Sequence, residues 1–161
     1  MSESAELDLV WSEKDALLFF LNQVRDAVVQ VSAGLTAEQE RAAGVPSGTS
    51  LLGLVRHLTG AEVLWFQRIF RGEDRAVDLS MAVPADATRD EVVAAYRQAC
   101  GRSDEIVRAC PDLAMLARTA NAGEDERVSL RAIVVHMIEE TARHAGHADI
   151  LREQIDGATG L

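Results

Sequence analysis

Ile133-Val-Val-His136-Met-Ile-Glu-Glu140-Thr-Ala-Arg-His144-Ala-Gly-His147-Ala-Asp-Ile-Leu151 is the stretch on which the fold turns. Ile133, Met137 and Leu151 mark one face of a helix by their spacing. The middle of that stripe is polar, because Glu140, His144 and His147 stand where core residues belong. Ser129 supplies an N-cap and Gly157 a stop, so a helix is predicted over 129–156. Glu140 and His144 lie one turn apart and share a face. Neither is cheap to bury without a partner. His57, on another apolar run far upstream, would complete a two-histidine, one-carboxylate metal site with an open position, the arrangement of catalytic metals.

Three more long helices lie outside this stretch. The first begins near Ser12 and carries Leu17, Leu21, Val24, Val28 and Val31 before Gly34 ends it. Thr36-Ala-Glu-Gln39 reads as a short capped helix, and Val45-Pro-Ser-Gly-Thr-Ser50 as a turn leading to a cap at Thr49 or Ser50. The second long helix, over 50–71, places Leu51, Leu54, Leu58, Ala61, Trp65 and Ile69 on one face and stops at Gly72. The third opens on the capping box Thr88-Arg-Asp-Glu91, with Val92, Tyr96, Ala99, Ser103, Ile106 and Cys110 inside and Pro111 beyond its end. Nothing reads convincingly as a strand. The class is therefore all-α, a four-helix bundle forming a single domain over 1–161.

The connection over 73–87 is long enough to run back along the bundle. Extended, it reaches roughly 50 Å, against roughly 33 Å for a helix of about 22 residues. Helices two and three can then lie parallel, giving up-down-down-up with a long crossover. A second irregular stretch, 112–128, is of the length that often rims a site.

Composition narrows the function classes. Apolar residues make up 48% of the chain and charged ones 26%, as in a folded globular domain. A net charge of −10 argues against nucleic acid as the partner, since phosphate binding needs a basic patch. No apolar run approaches a membrane span and no N-terminal leader is visible, so the expected compartment is the cytosol. Cys100 and Cys110, if on one helix, are about 15 Å apart along its axis and too far to bridge; they read as small core residues.

Each candidate ligand has a bland alternative. His57 could be a hydrogen-bonded core histidine, and Glu140 a buried ion-pair partner of Arg56 or Arg97. His136 is also in helical register with Glu140 and His144, but three ligands at successive turns span about 12 Å of rise, too far for one ion. His147 is a candidate pocket residue or a partner of a ligand. Trp11 and Trp65 read as core or rim, and no phosphate loop or dinucleotide fingerprint is present.

Pro46-Ser-Gly-Thr-Ser-Leu-Leu-Gly-Leu-Val-Arg-His57-Leu and His136-Met-Ile-Glu-Glu-Thr-Ala-Arg-His-Ala-Gly-His147 resemble the DinB-like superfamily. They are most similar to the branch near mycothiol-dependent S-transferases and the metal-binding domain of mycothiol-dependent maleylpyruvate isomerase. Many members carry one histidine on helix two and a His-x-x-x-His pair on the last helix. This chain departs from them in having Glu140 at the first position of that pair, as the isomerase does. The resemblance thus carries the ligand role onto His57, Glu140 and His144, while His147 falls where many members have Gln. It implies an up-down-down-up bundle, a divalent metal (commonly zinc or nickel) and often a homodimer.

Two enzymatic chemistries suit such a site. In the favoured one, a low-molecular-weight thiol, mycothiol by the resemblance, is deprotonated at the metal and attacks a small-molecule electrophile, with no protein cysteine required. In the rival, the metal activates water for hydrolysis and His147 serves as base. A non-enzymatic metal-binding stress-response bundle is the third possibility.

Overall fold

The computed structural model describes residues 11–159. Five α-helices follow in order: α1 (Glu13–Val31), α2 (Ala37–Arg41), α3 (Leu51–Glu62), α4 (Arg89–Ala109) and α5 (Leu130–Asp156), with a π-helical segment, Val63–Phe70, continuing α3. Each N-terminus is capped by a hydroxyl that accepts an orphan backbone N–H: Ser12, Thr36, Ser50, Thr88 and Ser129. Thr36 and Thr88 form the full capping boxes their sequences predict. Gly157 ends α5 in the left-handed conformation at φ 75°.

Long-range contacts orient the four long helices. Arg131 Nε donates to Glu13 at 2.6 Å, joining the starts of α1 and α5. Arg152 donates to the carbonyls of Val31 at 2.8 Å and Ala33 at 2.7 Å, joining their ends. Lys14 Nζ donates to the Cys110 carbonyl at 2.6 Å, setting the start of α1 against the end of α4. Leu51 and Leu54 pack on Ala148 and Leu151, setting the start of α3 against the end of α5. The chain is all-helical and the four-helix bundle is compatible with the up-down-down-up order.

The crossover between the π segment and α4 is pressed onto α3. Gly53 and Gly60, seven residues apart, share one face of that helix. A Cβ on Gly60 would stand 2.0 Å from the Asp78 carbonyl oxygen, and one on Gly53 2.7 Å from that of Met81. Only glycine leaves room for backbone to lie on backbone here. The strap therefore runs antiparallel to α3.

Two features depart from the sequence reading. The second long helix is not uniformly α: beyond Glu62 it widens, with the Arg71 N–H donating to the Phe66 carbonyl at 3.2 Å. The wider turn buries Phe66, Ile69 and Phe70 and leaves Trp65 half-buried, off the inner stripe. The inner face of α1 is also rotated, through Leu18, Leu21, Arg25 and Val28 rather than Leu17, Val24 and Val31. Arg25 is fully buried and chelates Glu62 through two N–H groups at 2.8 and 2.7 Å, while a third reaches Asp104 at 2.7 Å. Its charge is thus neutralised inside the core, the condition for burying it.

Among the described residues the stretch over 112–128 forms no strand beyond one antiparallel bridge between Leu116 and Ser129. Cys100 and Cys110 are both buried and free. No described helix is long and apolar enough to cross a membrane.

Candidate metal site

Three side chains from two helices converge where the strap, α3 and α5 meet. Ligand atoms of His57, Glu140 and His144 all lie within 4.8 Å of one another. Glu140 Oε1 is 3.3 Å from His57 Nε2 and 3.1 Å from His144 Nε2. The two imidazole rings are edge to face, with centroids 4.9 Å apart. All three side chains are mostly shielded: 18%, 17% and 11% exposed for His57, Glu140 and His144.

The far nitrogen of His57 explains how the ring is held. His57 Nδ1 is 2.7 Å from the Leu79 carbonyl oxygen on the strap. A carbonyl can only accept, so Nδ1 carries the proton, and in the singly protonated ring the lone pair is at Nε2. That lone pair faces a carboxylate oxygen, an acceptor against an acceptor. A cation held between them would turn the repulsion into ligation, and a backbone carbonyl behind a ligating imidazole is the usual support of a metal-bound histidine. The donor set of two imidazoles and one carboxylate fits a divalent metal with a position left open.

His144 has a similar supporter. Its Nδ1 is 3.4 Å from Nδ1 of His147, one turn on. With Nδ1–H of His144 donating, His147 accepts and Nε2 of His144 is left free toward Glu140. His147 is itself exposed and outside the convergent trio. His136 stands apart, its ring against Trp65 at a centroid distance of 4.5 Å and its Nδ1 3.9 Å from Glu139.

Electrostatics keep the carboxylate charged. Burial opposes ionisation of Glu140, but the adjoining imidazoles of His57 and His144 outweigh it and hold its carboxyl below the ordinary range. Burial pushes the His144 imidazole down from its usual value, against the pull of Glu140. The arginines proposed as alternative partners of Glu140 are engaged elsewhere, Arg56 with Asp78 at 2.7 Å and Arg97 with Asp26. Glu140 has only the peripheral Arg143, at 3.7 Å.

Sequence reading did not find Leu79 or Arg25. Leu79 acts through its backbone, which no residue type advertises, although paired glycines seven apart on a helix signal a close backbone approach. Arg25 was detectable, since it falls four residues after Leu21 and three before Val28 on the apolar face.

The helical bundle, with the cluster of His57, Glu140 and His144 between two of its helices, is of the DinB-like class. The chain belongs to the mycothiol-S-transferase family, whose family model matches residues 16–157. Among solved structures it is similar in fold to one described as a conserved protein of locus from Enterococcus faecalis. The TM-score is 0.59 at 12% identity, over 92% of this chain and 99% of that one. No curated protein matches it.

Proposed function

We propose that this protein is a divalent-metal-dependent S-transferase that activates a low-molecular-weight thiol, mycothiol in the first instance, for attack on a small-molecule electrophile. Family membership supports thiol transfer. The observation that carries metal dependence is the Leu79 carbonyl on His57 Nδ1, which turns an imidazole lone pair onto a carboxylate oxygen. A bound divalent cation would supply one thing, a lowered thiol pKa, so that a group with a free pKa near about 8.5 is thiolate at neutral pH.

The chain's residues do the rest. As ligands His57 and His144 would be neutral donors and Glu140 a single negative charge, so a divalent cation held there would leave the site net positive and able to attract an anionic sulfur. The Leu79 carbonyl and His147 fix the two rings. In the transfer, the thiol gives up its proton to solvent and its sulfur electron pair forms the new C–S bond. The electrophile either expels a leaving group with the displaced pair or, if it is an activated alkene or ketone, takes that pair and then a proton from solvent.

The protein's two cysteines take no part. Burial, with the charge of Glu62, pushes the Cys100 thiol up to about 12, and Cys110 is closed off in the core. The test is conjugation of mycothiol to an alkylating electrophile, followed by mass spectrometry with metal-loaded and chelator-treated protein. Conjugate formed only with metal supports the function; equal rates in both remove the metal from it.

A further inference from the structure

A cleft lies in the seam between α4 and α3 with its π-helical continuation, and it shares no residue with the candidate metal site. Its volume is about 650 Å³, inside the range of roughly 300–1,000 Å³ usual for small-molecule sites. Thr59, Val63 and Gln67, each four residues from the next, form one wall, and Ala95 and Ala99 of α4 form the other. The small side chains leave the seam unfilled, and a Cβ on neighbouring Gly101 would meet nothing within 4 Å.

Packing does not explain Gln67. It is 4% exposed and lines the cleft, yet its side-chain amide makes no hydrogen bond with any described residue. Buried amides are normally paired, because an unpartnered one gives up its hydration for nothing. Its backbone is firmly held: the Gln67 carbonyl accepts from the Glu73 N–H at 3.0 Å, which brings the start of the strap to the cleft. The free amide offers a donor and an acceptor side by side, the complement of a peptide group.

Charges of both signs surround it. Arg102 donates to Glu73 at 3.3 Å and to Glu105 at 3.2 Å, so two carboxylates share one guanidinium and a negative charge is left over. Arg75, two residues beyond Glu73 on the strap, lines the same cleft and has no carboxylate partner among the described residues. The cleft is thus balanced overall but carries an unmatched cation and an unmatched anion. A simple anion would also approach against the chain's net charge of −10, whereas a zwitterion would not.

We propose that this cleft binds a small zwitterion with an amide between its two charges, of the chemical class of a dipeptide. The ligand's carboxylate pairs with Arg75, its ammonium with Glu73 and Glu105, and its peptide group exchanges hydrogen bonds with the Gln67 amide. Val63, Ala95 and Ala99 cover its apolar parts. The site stands whatever the chemistry at His57, Glu140 and His144, since it draws on none of the residues that position them.

The test is titration of isotope-labelled full-length protein with L-alanyl-L-alanine, read by NMR at the Gln67 side-chain amide and the Arg75 guanidinium. Both signals should shift and saturate. Gln67→Leu and Arg75→Gln should each weaken binding about tenfold, the scale of one lost hydrogen bond to an amide or a charged group. Acetylating the dipeptide's ammonium or amidating its carboxylate should cost as much, and free L-alanine, which has no peptide group, should bind at least as poorly as these. Arg75 is exposed on the strap, so Arg75→Gln keeps the fold and decides the matter if Gln67→Leu proves unstable. No saturable shift at millimolar dipeptide, equal affinity for the blocked analogues or for alanine, or undiminished binding by Arg75→Gln would overturn the proposal.

Discussion

The Nδ1–H of His57 donates to the carbonyl of Leu79 at 2.7 Å, so the strap, rather than the helix carrying the residue, selects the nitrogen left with a lone pair. The strap can do this only because Gly53 and Gly60 let its backbone lie directly on α3. Sequence, packing and ligand chemistry are joined at this one hydrogen bond.

Crowding the strap should therefore damage the metal site from a distance. In Gly60→Ala the new methyl collides with the Asp78 carbonyl oxygen, 2.0 Å from its ideal position. The expected cost is about 1–3 kcal/mol of stability from overpacking. Loss of the support behind His57 should add about a 10–100-fold drop in metal affinity. Urea melts and competition with a chromophoric chelator measure both; a variant unchanged in metal affinity would show that the strap does not position His57.

Ligand and neighbour should separate cleanly by mutation. His57→Ala, Glu140→Ala and His144→Ala should each lose most bound metal, because each removes one of three donors that lie within 4.8 Å of one another. His136→Ala should retain it, since that ring is turned onto Trp65. Metal content by mass spectrometry on equilibrated samples decides. Equal loss in the His136 variant would contradict the assignment.

Stability of the metal-free protein should fall with pH in a known direction. The folded state holds His144 below its ordinary value of 6.5, so the unfolded chain binds the proton more readily. Stability from this group is complete above that value and is lost as pH falls through it toward the folded pKa. Glu140 is held below 4.5, so its contribution is complete above that value and is lost at still lower pH. Both act in the same sense. Thermal melts of chelator-treated protein should show a melting temperature that drops from pH 7 to pH 5, with a shallower slope in His144→Asn. Metal should raise the melting temperature at pH 7 and do so less as protons compete for the imidazoles.

The buried ion pair gives a stability prediction independent of metal. Arg25→Met leaves Glu62 uncompensated in the core, both side chains being fully buried. The expected loss is about 3–5 kcal/mol, and Arg25→Met with Glu62→Leu should recover much of it. Denaturant titration of the single and double variants tests this; an additive double variant would count against coupling of the pair.

Much of the architecture was legible because the chain marks its helix ends. Ser12, Thr88, Ser129 and Gly157 bound the long helices where capping chemistry puts them, and α4 buries the face its spacing predicts. The convergence of His57, Glu140 and His144 was visible as a polar interruption of an apolar stripe. What stayed hidden depends on backbone. The π segment after Glu62 shifts the buried face by a change in hydrogen-bond register that side-chain spacing does not encode. The Leu79 carbonyl is equally silent, since any residue could supply it. Arg25 misled the reading of α1 because a charge on an apolar face is normally rotated out to solvent, and its partners Glu62 and Asp104 lie on other helices.

The central claim is that His57, Glu140 and His144 hold a divalent cation that takes a thiol sulfur as thiolate. Cobalt-substituted protein titrated with mycothiol at neutral pH tests it most directly. The account predicts a thiolate-to-cobalt charge-transfer band that saturates at one thiol per chain and is absent in Glu140→Ala. Cobalt binding without such a band at saturating thiol, together with undiminished thiol transfer by chelator-treated protein, would contradict it.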